Sequence, residues 1–199
     1  MGDFKMGSKT VMSQSGTSNP TFGAGAPTGC IIQVQFTQYT GTASMTSIGD
    51  DTNYVLVDGA AGSGTEILNV NITPKSTSSK IWLQCSWTGE FNNMADVYNS
   101  IFFFYRDSTT LVAPSASNRL AGIMPPAINI EVSNPNSTLE SCFYQYFDTP
   151  STTSQITYKV GVIMYGNATT LHTNRTVDDT DNNSWERGIS SICAIEIAG

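Results

Sequence analysis

Charge is what this chain has least of. Only 13% of its 199 residues are Asp, Glu, Lys or Arg, against roughly a quarter in an average soluble domain. Nine residues are basic, they are scattered, and the net charge is −7. Gripping a phosphate backbone takes clustered Lys and Arg, so nucleic acid is not an expected partner. Histidine occurs once, at His172, so a Ser-His-Asp site would have one candidate base. No Gly-x-Ser-x-Gly elbow exists to serve it, and no catalytic residue is assigned. No apolar run approaches the roughly 20 residues of a membrane-spanning helix. The polar start, Met1 to Lys9, lacks the form of a secretory signal. The expectation is a protein made in the cytoplasm with no membrane partner. The four cysteines, Cys30, Cys85, Cys142 and Cys193, lie more than fifty residues apart. Without a Cys-x-x-Cys pair they give no zinc site. They read as small hydrophobes inside strands, and spacing leaves their disulfide state open.

Helical periodicity is missing too, and strand alternation takes its place. Cys30, Ile32, Val34 and Phe36 fall on one face of a strand, with Gln33, Gln35 and Thr37 on the other. Leu68, Val70 and Ile72 repeat the pattern until Pro74, which lacks the N–H a ladder needs. Ile81, Leu83, Cys85 and Trp87 alternate next, and Ile101 to Tyr105 form a continuous apolar run suited to a strand covered on both faces. Further strands are expected at Ile128, Ile130 and Val132, at Cys142 to Phe147, at Ile156 to Met164, and at Ile189 to Ile197. The stretches 41–53, 59–64, 107–126 and 166–187 read as loops. Some eight strands separated by Gly, Pro, Asn and Ser predict an all-β protein, an antiparallel jelly-roll-like β-sandwich. Residues 1–28 show neither period and read as an extended anchoring arm, which leaves 29–199 for the sandwich domain. Phe4, Met6, Val11, Met12 and Phe22 are the arm's expected apolar anchors.

Three blocks carry a resemblance. One is Ile72-Thr73-Pro74-Lys75-Ser76-Thr77-Ser78-Ser79-Lys80-Ile81. The second runs from Phe147-Asp148-Thr149-Pro150 through Gln155-Ile156-Thr157-Tyr158-Lys159-Val160. The third is Arg187-Gly188-Ile189-Ser190-Ser191-Ile192-Cys193-Ala194-Ile195-Glu196-Ile197-Ala198-Gly199. Together they resemble a family of small β-sandwich domains in structural proteins of tailed bacteriophages, especially phages of aquatic bacteria. The resemblance covers roughly residues 29–199 and leaves 1–28 outside. Its motifs are strand and turn signatures, so it speaks to fold more than to role.

The resemblance implies a non-enzymatic virion protein, displayed on the virion surface and needing no cofactor. A homotrimer would cover strands that are apolar on both faces, such as those holding Phe102 to Tyr105 and Phe143 with Phe147. Two roles follow. A capsid decoration (cement) protein would sit on the major capsid protein or another virion protein, held by its arm. A small tail or head fibre would instead present its loops to host surface glycans.

Two loop features bear on chemistry. Asp179, Asp181 and Asn183 match the first three oxygen-ligand positions of a calcium loop. Ser184 stands where the loop's glycine should be, and no Glu closes it, so a solvated acidic loop is the expectation. Trp185, flanked by Asn183 and Arg187, could stack on a sugar ring while the Asn183 amide binds hydroxyls, or could fold down onto protein. Asp96, Asp107, Glu131, Glu140, Asp148 and Glu186 are too dispersed for sequence to pair any two as glycosidase carboxylates.

Overall fold

Alternating hydroxyl-bearing and β-branched or aromatic residues fit a pleated, half-buried surface, and the described part of the chain is built from strands. The computed structural model describes residues 2–18, 20–23, 25–92, 98–127 and 136–199. Among them are no helices and two large packed sheets, an antiparallel-dominated β-sandwich. The expected strand at Ile128, Ile130 and Val132 lies outside the described residues, as do Asp96 and Glu131.

The larger sheet centres on β10 (Lys80–Phe91), whose twelve residues make it the longest strand. Along one edge, Ile81 to Gly89 pair with β13 (Glu140–Asp148). Along the other, Lys80 to Ser86 pair with β16 (Ser190–Ile197), and Gly89 to Phe91 pair with β15 (Thr170–Thr173). β4 (Ile31–Tyr39) adds to β16, and β5 (Ala43–Thr46) adds to β15. Beyond β5 come β7 (Val57–Ala60), in parallel, and the short β8 (Thr65–Glu66). The smaller sheet has β14 (Ile156–Met164) at its centre. β11 (Ile101–Arg106) lies on one side of it, followed by β12 (Thr109–Leu111). β9 (Asn69–Ile72) and β6 (Thr52–Val55) share the other side.

Between the sheets, Ile81, Leu83, Cys85 and Trp87 of β10 meet Phe102 and Phe104 of β11 and Tyr158, Val160 and Val162 of β14 in one core. The Trp87 ring lies 4.8 Å from Phe102, and Tyr144 lies 4.6 Å from Phe104. Each such side chain contributes about 1.5–3 kcal/mol by leaving water. Phe103, on the opposite face of β11, is also fully buried, as the continuous apolar run predicts.

Three expectations need correcting. Residues 1–28 are not one extended segment: β1 (Gly2–Met6), β2 (Lys9–Gln14) and β3 (Thr21–Phe22) form a small antiparallel sheet. Gly7, at φ 63°, turns the first hairpin, a conformation glycine adopts without a steric penalty. Stretches expected as loops contain β5, β12 and β15 and parts of β6 and β7, short strands whose polar residues hide the alternation. Finally, the apolar face of β4 enters the core only in part. Ile32 is buried with Ala26, Cys30 and Ala198, but Val34 and Phe36 point outward, 53% and 57% exposed.

Candidate interaction surfaces

The reason β4 faces outward lies one residue away. Gln33, Glu196, Ile81 and Asp148 form a cross-strand row through β4, β16, β10 and β13. Glu196 is fully buried, and its carboxylate accepts hydrogen bonds from the Lys75 amide and the Ser79 hydroxyl, both at 2.6 Å, and from Gln33 Nε2 at 2.5 Å. Asp148 at the other end accepts from Arg106 Nη1 at 2.9 Å and from the Tyr158 hydroxyl at 2.6 Å. A buried carboxylate without such donors would cost several kcal/mol. Thus polar residues from all three sequence blocks are used to tie the sheets and the 73–79 turn together. They are structural fastenings, not a reactive site.

The next row points the other way. Val34, Ile195, Trp82 and Phe147 stand opposite one another across the same four strands on the outer face. Trp82 stacks on Phe147 with ring centroids 5.5 Å apart and planes 8° from parallel, and its indole N–H donates to Gln145 Oε1 at 3.1 Å. A neighbouring row holds Phe36, Cys193, Gln84 and Gln145. Phe143 and Phe147 are 60% and 55% exposed. No charged side chain stands in either row. An exposed apolar row of this kind, bordered by Gln84 and Gln145 on one side and Lys80 on the other, marks an interaction surface.

The N-terminal sheet carries a second apolar row, Phe4, Met12 and Phe22, in register across its three strands. Of the five expected anchors only Val11 is buried and Met12 half-buried, while Phe4, Met6 and Phe22 are exposed. Every residue of β1 is exposed, so this sheet lacks a core of its own.

The acidic loop places its candidates differently from their spacing. Asp179 is held by two guanidinium groups, from Arg175 at 3.2 Å and from Arg187. Asp181 and Asn183 are exposed. Among the described residues no three His, Cys, Asp or Glu side chains gather as a metal site. Trp185 is half-buried and lines a cavity of about 310 Å³ with Asp179, Asp181, Arg187 and Asn182, the last standing where Asn183 was expected. Its indole N–H donates within the loop, to Thr180 Oγ1 at 2.9 Å.

Sequence spacing missed one cluster. Glu90 and Glu140, on neighbouring strands, are both buried. Burial, reinforced by the Glu90 charge, pushes the Glu140 carboxyl up to about 8, and its Oε2 has no hydrogen-bond partner among the described residues. Burial also raises Glu90, which accepts the Val177 amide at 2.5 Å. His172, opposite Glu90 in the ladder, is lowered to about 4 by burial and by nearby Arg175. It is therefore neutral near pH 7, and its Nδ1 pairs with Ser44 Oγ at 2.8 Å. All four cysteines are free thiols. Burial pushes Cys142 up to about 12 and raises Cys85 and Cys193, the wrong direction for a nucleophile. Only the buried register, which sequence does not state, brings Glu90 and Glu140 together.

No protein-family model matches this chain, and no curated protein matches it.

Proposed function

We propose that this chain is a non-enzymatic structural protein of a tailed-phage virion. In this reading it is a homotrimeric capsid decoration protein, displayed on the virion surface and attached through residues 1–28. The observation that carries the assembly part is the outer row Val34, Ile195, Trp82 and Phe147. Four apolar side chains in line, with no charge among them and Lys80 at the margin of the face, resemble half of an interface. The virion part rests on the family resemblance of the three sequence blocks, and the polar fastenings at Glu196 and Asp148 give those blocks a physical purpose within such a sandwich.

Attachment through residues 1–28 is supported by the bare row of Phe4, Met12 and Phe22. Short strands that bury little beyond Val11 gain stability by docking on another surface. The major capsid protein or another virion protein is the partner in this reading. A second reading, a small tail or head fibre that binds host glycans, is favoured by the cavity beside Trp185. Light scattering on the purified full chain tests the assembly, with three chain masses expected. A monomer at micromolar concentration would reject it. Copy number per particle separates the roles: hundreds for decoration, a few dozen or fewer for a fibre.

A further inference from the structure

Two cavities of about 520 and 370 Å³ adjoin on the outer face of the smaller sheet and share Glu66, Asp107, Ser108 and Lys159. Strand register builds their floor. Asn69, Lys159 and Tyr105 form one row across β9, β14 and β11. Asn71 stands opposite Thr157 in the next row on that face, and Asp107 reaches Thr157 from the β11–β12 turn. Residues two apart on a strand are about 6.6 Å apart, so the rows are spaced on the scale of one sugar unit.

These groups are held in place by one another. Lys159 Nζ donates to Glu66 Oε1 at 2.6 Å, and Asn69 Nδ2 to Glu66 Oε2 at 3.5 Å. Thr157 Oγ1 donates to Asn71 Oδ1 at 2.7 Å. The Thr157 amide donates to Asp107 Oδ1 at 3.0 Å, and the Asp107 amide donates back to the Thr157 carbonyl at 2.8 Å. Four groups keep hydrogen-bonding capacity to spare. Asn69 Oδ1, Asn71 Nδ2, Asp107 Oδ2 and the Tyr105 hydroxyl have no hydrogen bond among the described residues. The aromatic member is fixed as well. Tyr105 packs on Phe103 at 5.0 Å, and both rings lie over Gly161, where a Cβ would come within 2.6 Å of Phe103 and 2.9 Å of Tyr105.

We propose that this plate of two amides, a carboxylate and a fixed aromatic ring is a binding site for a neutral saccharide. Vicinal hydroxyls both donate and accept, which suits Asn69, Asn71 and Asp107, and the C–H face of a pyranose suits the Tyr105 ring. Lys159 and Glu66 cancel each other, so Asp107 leaves the plate net negative on a chain of charge −7. Acidic sugars and phosphorylated ligands are disfavoured accordingly. The site lies on the sheet face, not in the Trp185 loop, and does not depend on the assembly reading.

Saturation-transfer NMR on the full chain tests it, with millimolar cellohexaose, mannohexaose and chitohexaose as neutral probes and hexagalacturonate as the acidic one. Transfer to at least one neutral probe and none to the acidic one is expected. Asn71→Ala, at an exposed position whose loss leaves the core intact, and Tyr105→Ala should each weaken binding at least tenfold, with Trp185→Ala within twofold of the parent. The proposal is overturned by transfer to no neutral probe, by preference for hexagalacturonate, or by binding that survives both plate substitutions. Binding lost only with Trp185→Ala would also overturn it and assign glycan contact to the loop.

Discussion

Single carboxylates decide much of this fold because the chain has so few charges to spend. Glu196 receives three donors, and of these only Gln33 Nε2 has a second acceptor, the Thr73 carbonyl at 2.7 Å. Glu196→Ala should strand the Lys75 amide and the Ser79 hydroxyl, while Gln33 keeps the Thr73 carbonyl, costing about 2 kcal/mol or more at roughly 1–3 kcal/mol per orphaned group. Urea unfolding would read this as a lower midpoint, and a midpoint unchanged within error would show that water replaces the carboxylate. Glu140 works in the opposite sense, since its folded value of about 8 lies far above that of an unfolded chain. The native state therefore holds a proton that the unfolded state releases. Its contribution is complete below about pH 4.5 and is lost as pH rises through 8. His172, lowered to about 4, contributes with the reverse sign, losing stability as pH falls from 6.5 toward 4. The two oppose each other in the acid range, and Glu140 dominates above pH 6.5, with Glu90 acting in the same direction. Thermal melts should fall by the equivalent of about 2 kcal/mol between pH 6.5 and 8, at about 1.36 kcal/mol per pH unit per proton. Glu140→Gln should flatten that slope and leave the variant more stable than the parent at pH 8.

At the scale of elements, the four-strand ladder β4–β16–β10–β13 separates folding from association by parity. Odd and even positions on these strands face different environments, so a change on the outer row should touch assembly and spare the core. Phe147→Asp puts a charge beside Trp82 on the apolar face. Expected is a folded chain, melting within a few degrees of the parent, that runs as a monomer in light scattering. A trimer that survives Phe147→Asp would move the interface elsewhere. The N-terminal sheet makes a complementary prediction. It buries little beyond Val11 and the contact of Ala26 with Ile32, so deleting residues 1–28 should leave a folded sandwich of unchanged oligomeric state. That truncated protein should no longer bind particles lacking the protein. Undiminished binding would put attachment on the sandwich.

For the molecule as a whole, low charge and plentiful hydroxyls suit surfaces that meet other surfaces. Ser, Thr, Asn and Gln keep the exposed faces soluble without the repulsion or desolvation cost that ions would bring to an interface. Two faces of the sandwich are used unlike one another. The larger sheet turns an apolar row outward, and the smaller sheet turns a polar, hydrogen-bonded plate outward. If the apolar face is covered by sister chains, the polar face remains open, so association and saccharide binding should be independent. Saccharide transfer should then persist in Phe147→Asp.

By itself the sequence determined the class of fold and the long strands. A period of two over Ile81 to Trp87 or Ile156 to Met164 admits one local geometry, and hydrophobic burial enforces it. It also fixed which residues share a face, as with Val34 and Phe36, or Phe143 and Phe147. It did not say which face is inside: the strand of Cys142 to Phe147 is apolar on both faces, and on β4 the polar face of Gln33, Gln35 and Thr37 is the one that meets the buried side of β16. That was decided by tertiary contacts: Glu196 needs the Gln33 amide, so the glutamine face of β4 turns inward and Val34 and Phe36 turn out. The strands β5, β12 and β15 were illegible for a related reason. Few of their side chains are apolar, and pairing with longer neighbours makes them strands. The Glu90–Glu140 pair and the saccharide plate belong wholly to the register, since hydrogen bonding between distant segments sets which residues meet and no local pattern records it.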